Sequence, residues 1–250
     1  MFTRSIFIVD LVTIALFSPV LFNSQVASAA DALDAKDYEF SATATIASDY
    51  MFRGVSQTLE DPTVQASFDF SHVSGLSAGV WSSNVDFQDR GVSDDQADQE
   101  IDIYLGYGID INQDWSVDAT AIRYILPGTA SDADLDWNEL LASVNFRDRV
   151  SFMVGYSNKV FNIDETGIYY ALSGNLPLAY DVVLTASVGY YDLDEALNDS
   201  YLDFSLGAEI SSGIFTSRIA YIDTNGAGSD LFGDIADSRI VFSVTATMGN

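Results

Sequence analysis

Apolar and polar residues alternate with a period of two along most of the chain. Phe40, Ala42, Ala44 and Ile46 alternate with Glu39, Ser41, Thr43 and Thr45, so a strand there sets apolar groups on one face and hydroxyls or carboxylates on the other. The same rhythm returns at Val64 to Phe70, Ile101 to Ile109, Leu140 to Phe146 and Val150 to Tyr156. It continues at Ile168 to Leu172, Val182 to Tyr190, Leu202 to Ile210 and Ile240 to Met248. Three less regular runs, Leu76 to Phe87, Trp115 to Ile125 and Phe215 to Tyr221, bring the expectation to about twelve strands of about ten residues each.

The connections between these runs alternate in length. Short ones such as His72-Val73-Ser74-Gly75, Asp110-Ile111-Asn112-Gln113, Arg147-Asp148-Arg149 and Ser211-Ser212-Gly213 take turns with long stretches rich in Asp and Gly. Soluble sandwiches do not require all long loops at one end. A barrel built from hairpins across a bacterial outer membrane does. Residues beyond 30 contain no apolar run of helix-spanning length, and a chain without such helices spans lipid only as a closed barrel. The expected fold is all-β: a closed antiparallel transmembrane β-barrel of about 12 strands, with short periplasmic turns and long acidic extracellular loops.

Residues 1–30 read differently. Arg4, an apolar stretch to about Phe22 and the small residues Ala27-Ser28-Ala29-Ala30 predict a cleaved signal peptide. Residues 31–250 then form the barrel, exported through the periplasm to the bacterial outer membrane as a multi-pass β-barrel.

Composition narrows the partners. A net charge of -27 with 48% hydrophobic residues is too apolar for disorder. With only 10 Lys and Arg in 250 residues, nucleic acid is excluded as a partner. Outer-membrane lipid and lipopolysaccharide, small hydrophilic solutes and, at the acidic loops, divalent cations fit better. The absence of Cys removes disulfides and thiolate metal sites.

Alternation assigns faces. Asp49, Arg53, Asp69, Glu100, Asp102, Asp118, Glu139, Asp203, Glu209, Arg218 and Arg239 fall on inner faces as lumen or pore-lining candidates, and carboxylates outnumber arginines among them. Rings of Asp and Glu favour cations, so weak cation selectivity is expected of any pore. Cross-lumen pairing in a filled interior is the other reading, with Arg53 and Asp49 or Asp69 as such a pair. Tyr50, Phe52, Trp115, Tyr156, Tyr190 and Tyr221 fall on outer faces as interface aromatics. Ile122 and Tyr124 break the pattern: they face inward, which calls for a bulge or a partly plugged interior.

Two motif matches lead nowhere catalytic. Gly75-Leu76-Ser77-Ala78-Gly79 fits G-x-S-x-G, with His72 nearby, but a nucleophile elbow needs a strand turning into a helix, and here a strand continues. Asp132-Ala133-Asp134-Leu135-Asp136 opens like a calcium loop, yet Trp137 stands where Gly is needed and Ser143 where Glu is needed. No catalytic residue, metal site or cofactor is expected, and the protein is expected not to be an enzyme.

Finally, Ser48-Asp49-Tyr50, Phe52-Arg53-Gly54, Ser56-Gln57-Thr58, Pro62, Gln65 and Asp69 resemble the start of the TorF family of porins, as do Gly75, Gly79, Trp81 and Ser83-Asn84-Val85-Asp86. The resemblance covers about the first third of the mature chain and implies a proteobacterial outer-membrane channel. The expected function is passive diffusion of small hydrophilic solutes. The alternative is a non-conducting structural or surface-interaction barrel whose acidic loops bind cations, lipopolysaccharide or partners. The chain departs from common barrels in ending Thr247-Met248-Gly249-Asn250 rather than on an aromatic residue.

Overall fold

The computed structural model describes residues 37–87, 97–128 and 134–249. The leader expected over residues 1–30 lies outside the described residues, as do Asp94, Asp95 and Asp132. The first strands are β1 (Tyr38–Ala47), β2 (Met51–Phe52), β3 (Val55–Ser56), β4 (Thr63–His72), β5 (Leu76–Asn84), β6 (Gln99–Asp110) and β7 (Trp115–Ile125). They are followed by β8 (Trp137–Phe146), β9 (Val150–Ser157), β10 (Gly167–Pro177), β11 (Val182–Leu193), β12 (Asp199–Ser212), β13 (Phe215–Thr224) and β14 (Arg239–Gly249).

Twelve of these strands close one antiparallel barrel in which each pairs with its sequence neighbour, and β1 meets β14 to complete the circle. The seam runs in register from Ser41 opposite Gly249 to Ala47 opposite Ser243. Closure leaves no unpaired edge, which is the condition for β-structure in lipid. The remaining two strands, β2 and β3, form a separate small hairpin between β1 and β4.

The outer wall is apolar. Ile46, Val64 and Leu206 are each more than 60% exposed, and Phe68, Ile103, Leu105, Leu140, Leu172 and Phe242 join them on the surface. An exposed apolar wall this continuous has no place in water and is the lipid face of a transmembrane barrel. Trp115, Tyr156, Tyr190 and Tyr221 lie on that face, 40–46% exposed.

Short connections sit at one end of the barrel, the turn end. The other end carries every long connection, including α1 (Asp194–Leu197), α2 (Gly226–Phe232), short 3-10 turns at Val160–Asn162 and Gly233–Ala236, and the β2–β3 hairpin. We refer to it as the loop end.

Two of the expected interface aromatics do not face lipid. Tyr50 is 1% exposed and Phe52 7%. Counting faces forward from β1 presumes that the strand continues, but β1 stops at Ala47 and the amide of Ser48 donates to the Phe242 carbonyl. The chain then folds into the lumen, where both faces of the hairpin are enclosed and parity carries no information. Residues 49 to 56 are buried throughout.

That insertion also accounts for the irregular strand. Pairing of β6 with β7 runs without a bulge from Ile101 opposite Ile125 to Asp110 opposite Ser116. Ile122 and Tyr124 face inward because the interior at the loop end is an apolar core. Tyr50, Phe52, Val55, Trp81, Tyr104, Trp137, Leu141, Tyr169, Tyr191 and Tyr201 share it. Glycines on the wall make room for this bulk: a Cβ at Gly79 would strike the Tyr104 ring, and one at Gly189 would strike the Tyr169 hydroxyl and the Asp203 carboxylate.

Candidate functional site

The hairpin turns at Arg53-Gly54, with φ of 49° and 83°. Positive φ at both central residues is the tight hairpin turn whose twist matches its flanking strands. Gly54 is required twice over, because a Cβ there would also lie 2.6 Å from Thr224 Cγ2 and 2.8 Å from Asp203 Cβ. Gly54→Ala should therefore lift the hairpin tip off β12 and β13 at a cost of about 1–3 kcal/mol. Faster protease cleavage within residues 48–62 of the folded barrel is the expected readout, and unchanged cleavage would show that the tip is not tightly seated.

At the turn the Arg53 side chain is 4% exposed and meets the Glu139 carboxylate, which is 1% exposed, with Nη2 at 2.7 Å from each oxygen. Its guanidinium carbon lies 4.7 Å from the Phe52 ring centroid, 4.1 Å from that of Tyr169 and 4.4 Å from that of Tyr191. The Tyr124 hydroxyl donates to Glu139 Oε2 at 3.0 Å, and the Tyr201 hydroxyl donates to the Arg53 carbonyl at 3.0 Å. A guanidinium stays charged at any physiological pH. One carboxylate and three aromatic faces are what replace its water.

The hairpin base has its own clamp. Asp49 Oδ1 accepts from Ser56 Oγ at 2.7 Å and Thr58 Oγ1 at 2.8 Å, while Oδ2 accepts from Arg239 Nη1 at 2.9 Å. Arg239 also reaches Glu60 at 3.3 Å and donates to the Asp234 carbonyl. The expected partnership of Arg53 with Asp49 or Asp69 is thus replaced by Arg53–Glu139 and Arg239–Asp49. The turn carries Arg53 across the lumen to β8, whereas Asp49 stays at the rim beside β14.

The other inward candidates divide by depth. Glu100 and Asp102 are buried, with the Tyr50 side chain beside them. Asp203 accepts from the Tyr169 hydroxyl at 3.0 Å. Asp69 accepts from Tyr104 and Ser67, and Asp118 from Asn145 at 2.8 Å. Glu209 lies 3.3 Å from Arg218 Nε. Toward the turn end the wall becomes small and polar, with hydroxyl pairs Thr43–Ser67 at 2.8 Å and Ser187–Ser205 at 2.9 Å.

Aromatic rings bridge the section around the hairpin. Tyr50 meets Trp81 edge-on at 5.3 Å; Phe52 meets Tyr124 at 6.2 Å, and Tyr124 stacks on Trp137 at 4.3 Å. Phe161 links Trp137 to Tyr191, which touches Tyr169 and Tyr201, and Tyr201 meets Phe232 of α2. Reading faces from the sequence missed Trp137, Tyr169, Tyr191 and Tyr201. The signal was there in Tyr169-Tyr170 and Tyr190-Tyr191, since adjacent strand residues point to opposite faces, so one ring of each pair must enter the lumen.

The described residues of the remaining motifs make local contacts. His72 Nδ1 is paired with Ser74 Oγ at 2.8 Å, and β5 runs on as a strand through Ser77 to Asn84. Asp136 is engaged by Arg123 Nη2 and the Leu126 amide, both at 2.9 Å. In the exposed loop before β10, Lys159 Nζ lies 2.8 Å from Asp164 and holds that carboxyl below its ordinary range.

A family model described as "Bacterial protein of unknown function (Gcw_chp)" matches residues 31–248. No curated protein sequence matches the chain. Among solved structures, the chain is similar to the NanC porin at 9% identity, covering 84% of this chain and 99% of that one with a TM-score of 0.51. It is similar to the KdgM porin, in a structure with disordered oligogalacturonate, at 7% identity, covering 83% of this chain and 98% of that one with a TM-score of 0.50. At such identities the likeness is one of fold.

Proposed function

The chain belongs to the Gcw_chp family, and we propose that it is a porin-like channel of the bacterial outer membrane whose lumen is closed by its own hairpin. The observation that carries this reading is the buried Arg53–Glu139 clamp at the tip of a hairpin inserted between β1 and β4. A wall that needed only rigidity could be filled by its own side chains, as small barrels are. Here a separate segment fills it, held by polar contacts at tip and base and by the packing of Tyr50, Phe52 and Val55 against the wall aromatics. The resemblance of residues 48–58 to the start of the TorF porins supports the same reading and falls on the plug itself.

The solutes follow from charge. Asp69, Asp118, Glu100, Asp102, Asp203 and Glu209 line the path with Arg218 as the wall's own cation in the barrel's middle. Oligogalacturonate, present with KdgM, is a polyanion that such a path would repel. Small cations and neutral hydrophilic solutes are the class we assign. The long loops would face outward and the turns the periplasm, with Trp115, Tyr156, Tyr190 and Tyr221 anchoring the wall at the lipid interfaces.

Reconstituted protein in planar bilayers under a salt gradient should show brief, infrequent conductance steps with a reversal potential on the cation side. A reversal potential on the anion side would overturn the charge assignment. The filled section also favours a second reading, a barrel that never opens and presents acidic loops to cations, lipopolysaccharide or partners. Complete silence from barrels with and without the hairpin would select it.

A further inference from the structure

The Arg53 pocket has the composition of a cation receptor. Glu139 offers two carboxylate oxygens, Tyr169 and Tyr191 offer ring faces at 4.1 and 4.4 Å, and all three belong to the wall rather than to the hairpin. Aromatic faces around a carboxylate are the recurring means of taking a guanidinium or ammonium group out of water. The occupant fits incompletely. Arg53 Nη1 is buried without a well-aligned hydrogen bond among the described residues, its guanidinium lying beside the Tyr191 side chain, and a poorly made hydrogen bond on a buried donor works against the bound state. Building on the channel reading above, we propose that this cage is a binding site for alkylguanidinium solutes and that Arg53 is its tethered, self-inhibiting occupant.

A solute of this class competes for the wall groups that hold the hairpin tip. A free guanidinium can rotate until more of its donors are satisfied, whereas Arg53 is held in one pose by its stem and by Tyr201 on its carbonyl. Tethering still favours Arg53, because a short linker gives it an effective concentration in the millimolar range. The gate therefore responds to solute at comparable concentrations and stays shut below them. The net charge of -27 draws cations toward it.

Ethylguanidinium is the probe, and full-length barrel in detergent micelles is the protein. In Arg53→Ala the wall cage is vacant; calorimetric titration is expected to show one equivalent bound, with binding at least about tenfold weaker once Glu139→Gln is added. In the unaltered protein, hydrogen exchange across residues 51–57 is expected to speed up with ethylguanidinium and not with sodium chloride at equal ionic strength. No binding to folded Arg53→Ala, or hairpin exchange indifferent to ethylguanidinium, would overturn the proposal. If Arg53→Ala does not fold, the exchange experiment decides alone. Both measurements read binding, not conduction. A barrel that binds ethylguanidinium but never conducts would end the channel reading and keep the cage, and one that conducts while ignoring ethylguanidinium would do the reverse.

Discussion

Replacing Glu139 with alanine should destabilise the barrel by about 3–5 kcal/mol and drive the hairpin from the lumen, because it strands a buried charge. Arg53 would be left with aromatic faces and no counter-ion, and Tyr124 would lose its acceptor. Water is then the better partner for the guanidinium, and the way to water is to leave. The expected result is a lower urea midpoint for unfolding together with a larger and steadier conductance. Removing both charges separates the two effects. Arg53→Met with Glu139→Leu should regain most of the stability, since a buried ion pair is often replaceable by apolar groups of similar volume. A Glu139→Ala barrel as stable and as quiet as the unaltered one would mean that the ion pair holds nothing.

Trp137→Ala should cost a similar amount, about 3–5 kcal/mol, through a different mechanism. Trp137 stacks on Tyr124 at 4.3 Å and meets Phe52 and Phe161 edge-on. It joins the hairpin to the wall and to the 3-10 turn at Val160–Asn162. Deleting it opens a cavity in the section that closes the lumen, so destabilisation should come with a leak of small ions. Trp137→Phe, which keeps a ring at the site, should recover most of both. Lost stability without any leak would place the closing section elsewhere in the barrel.

The barrel was legible in the sequence because its wall obeys one rule. Lipid outside and an enclosed lumen inside force a period of two on every strand. Ile103 and Leu105 outside with Asp102 and Tyr104 inside are the rule in miniature. The alternation of short and long connections told the rest, since hairpin topology leaves no other order.

The plug was not legible, and its residues show why. Tyr50 and Phe52 continue the alternation of β1 in the one-dimensional pattern, yet the strand has already ended at Ala47. Nothing in a period of two distinguishes a ring turned toward lipid from one turned into a protein-filled lumen. The clue lay on the opposite wall. Ile122, Tyr124 and Trp137 are too apolar for a wet interior, and the hairpin packed against them resolves the conflict. Alternation puts Arg53 on an inner face, but its partner Glu139 lies 86 positions away, a separation that alternation alone does not bridge.

Residues 51–56 are expected to close an otherwise passable barrel, and single-channel conductance reads that closure without an intermediary. Met51–Ser56 are replaced by a flexible Gly/Ser segment of equal length, and the folded variant is compared with the unaltered protein in the same bilayer and salt. Long-lived open steps are expected for the variant and a mostly closed barrel for the unaltered protein. Equal, closed behaviour in two equally well-folded preparations would contradict it.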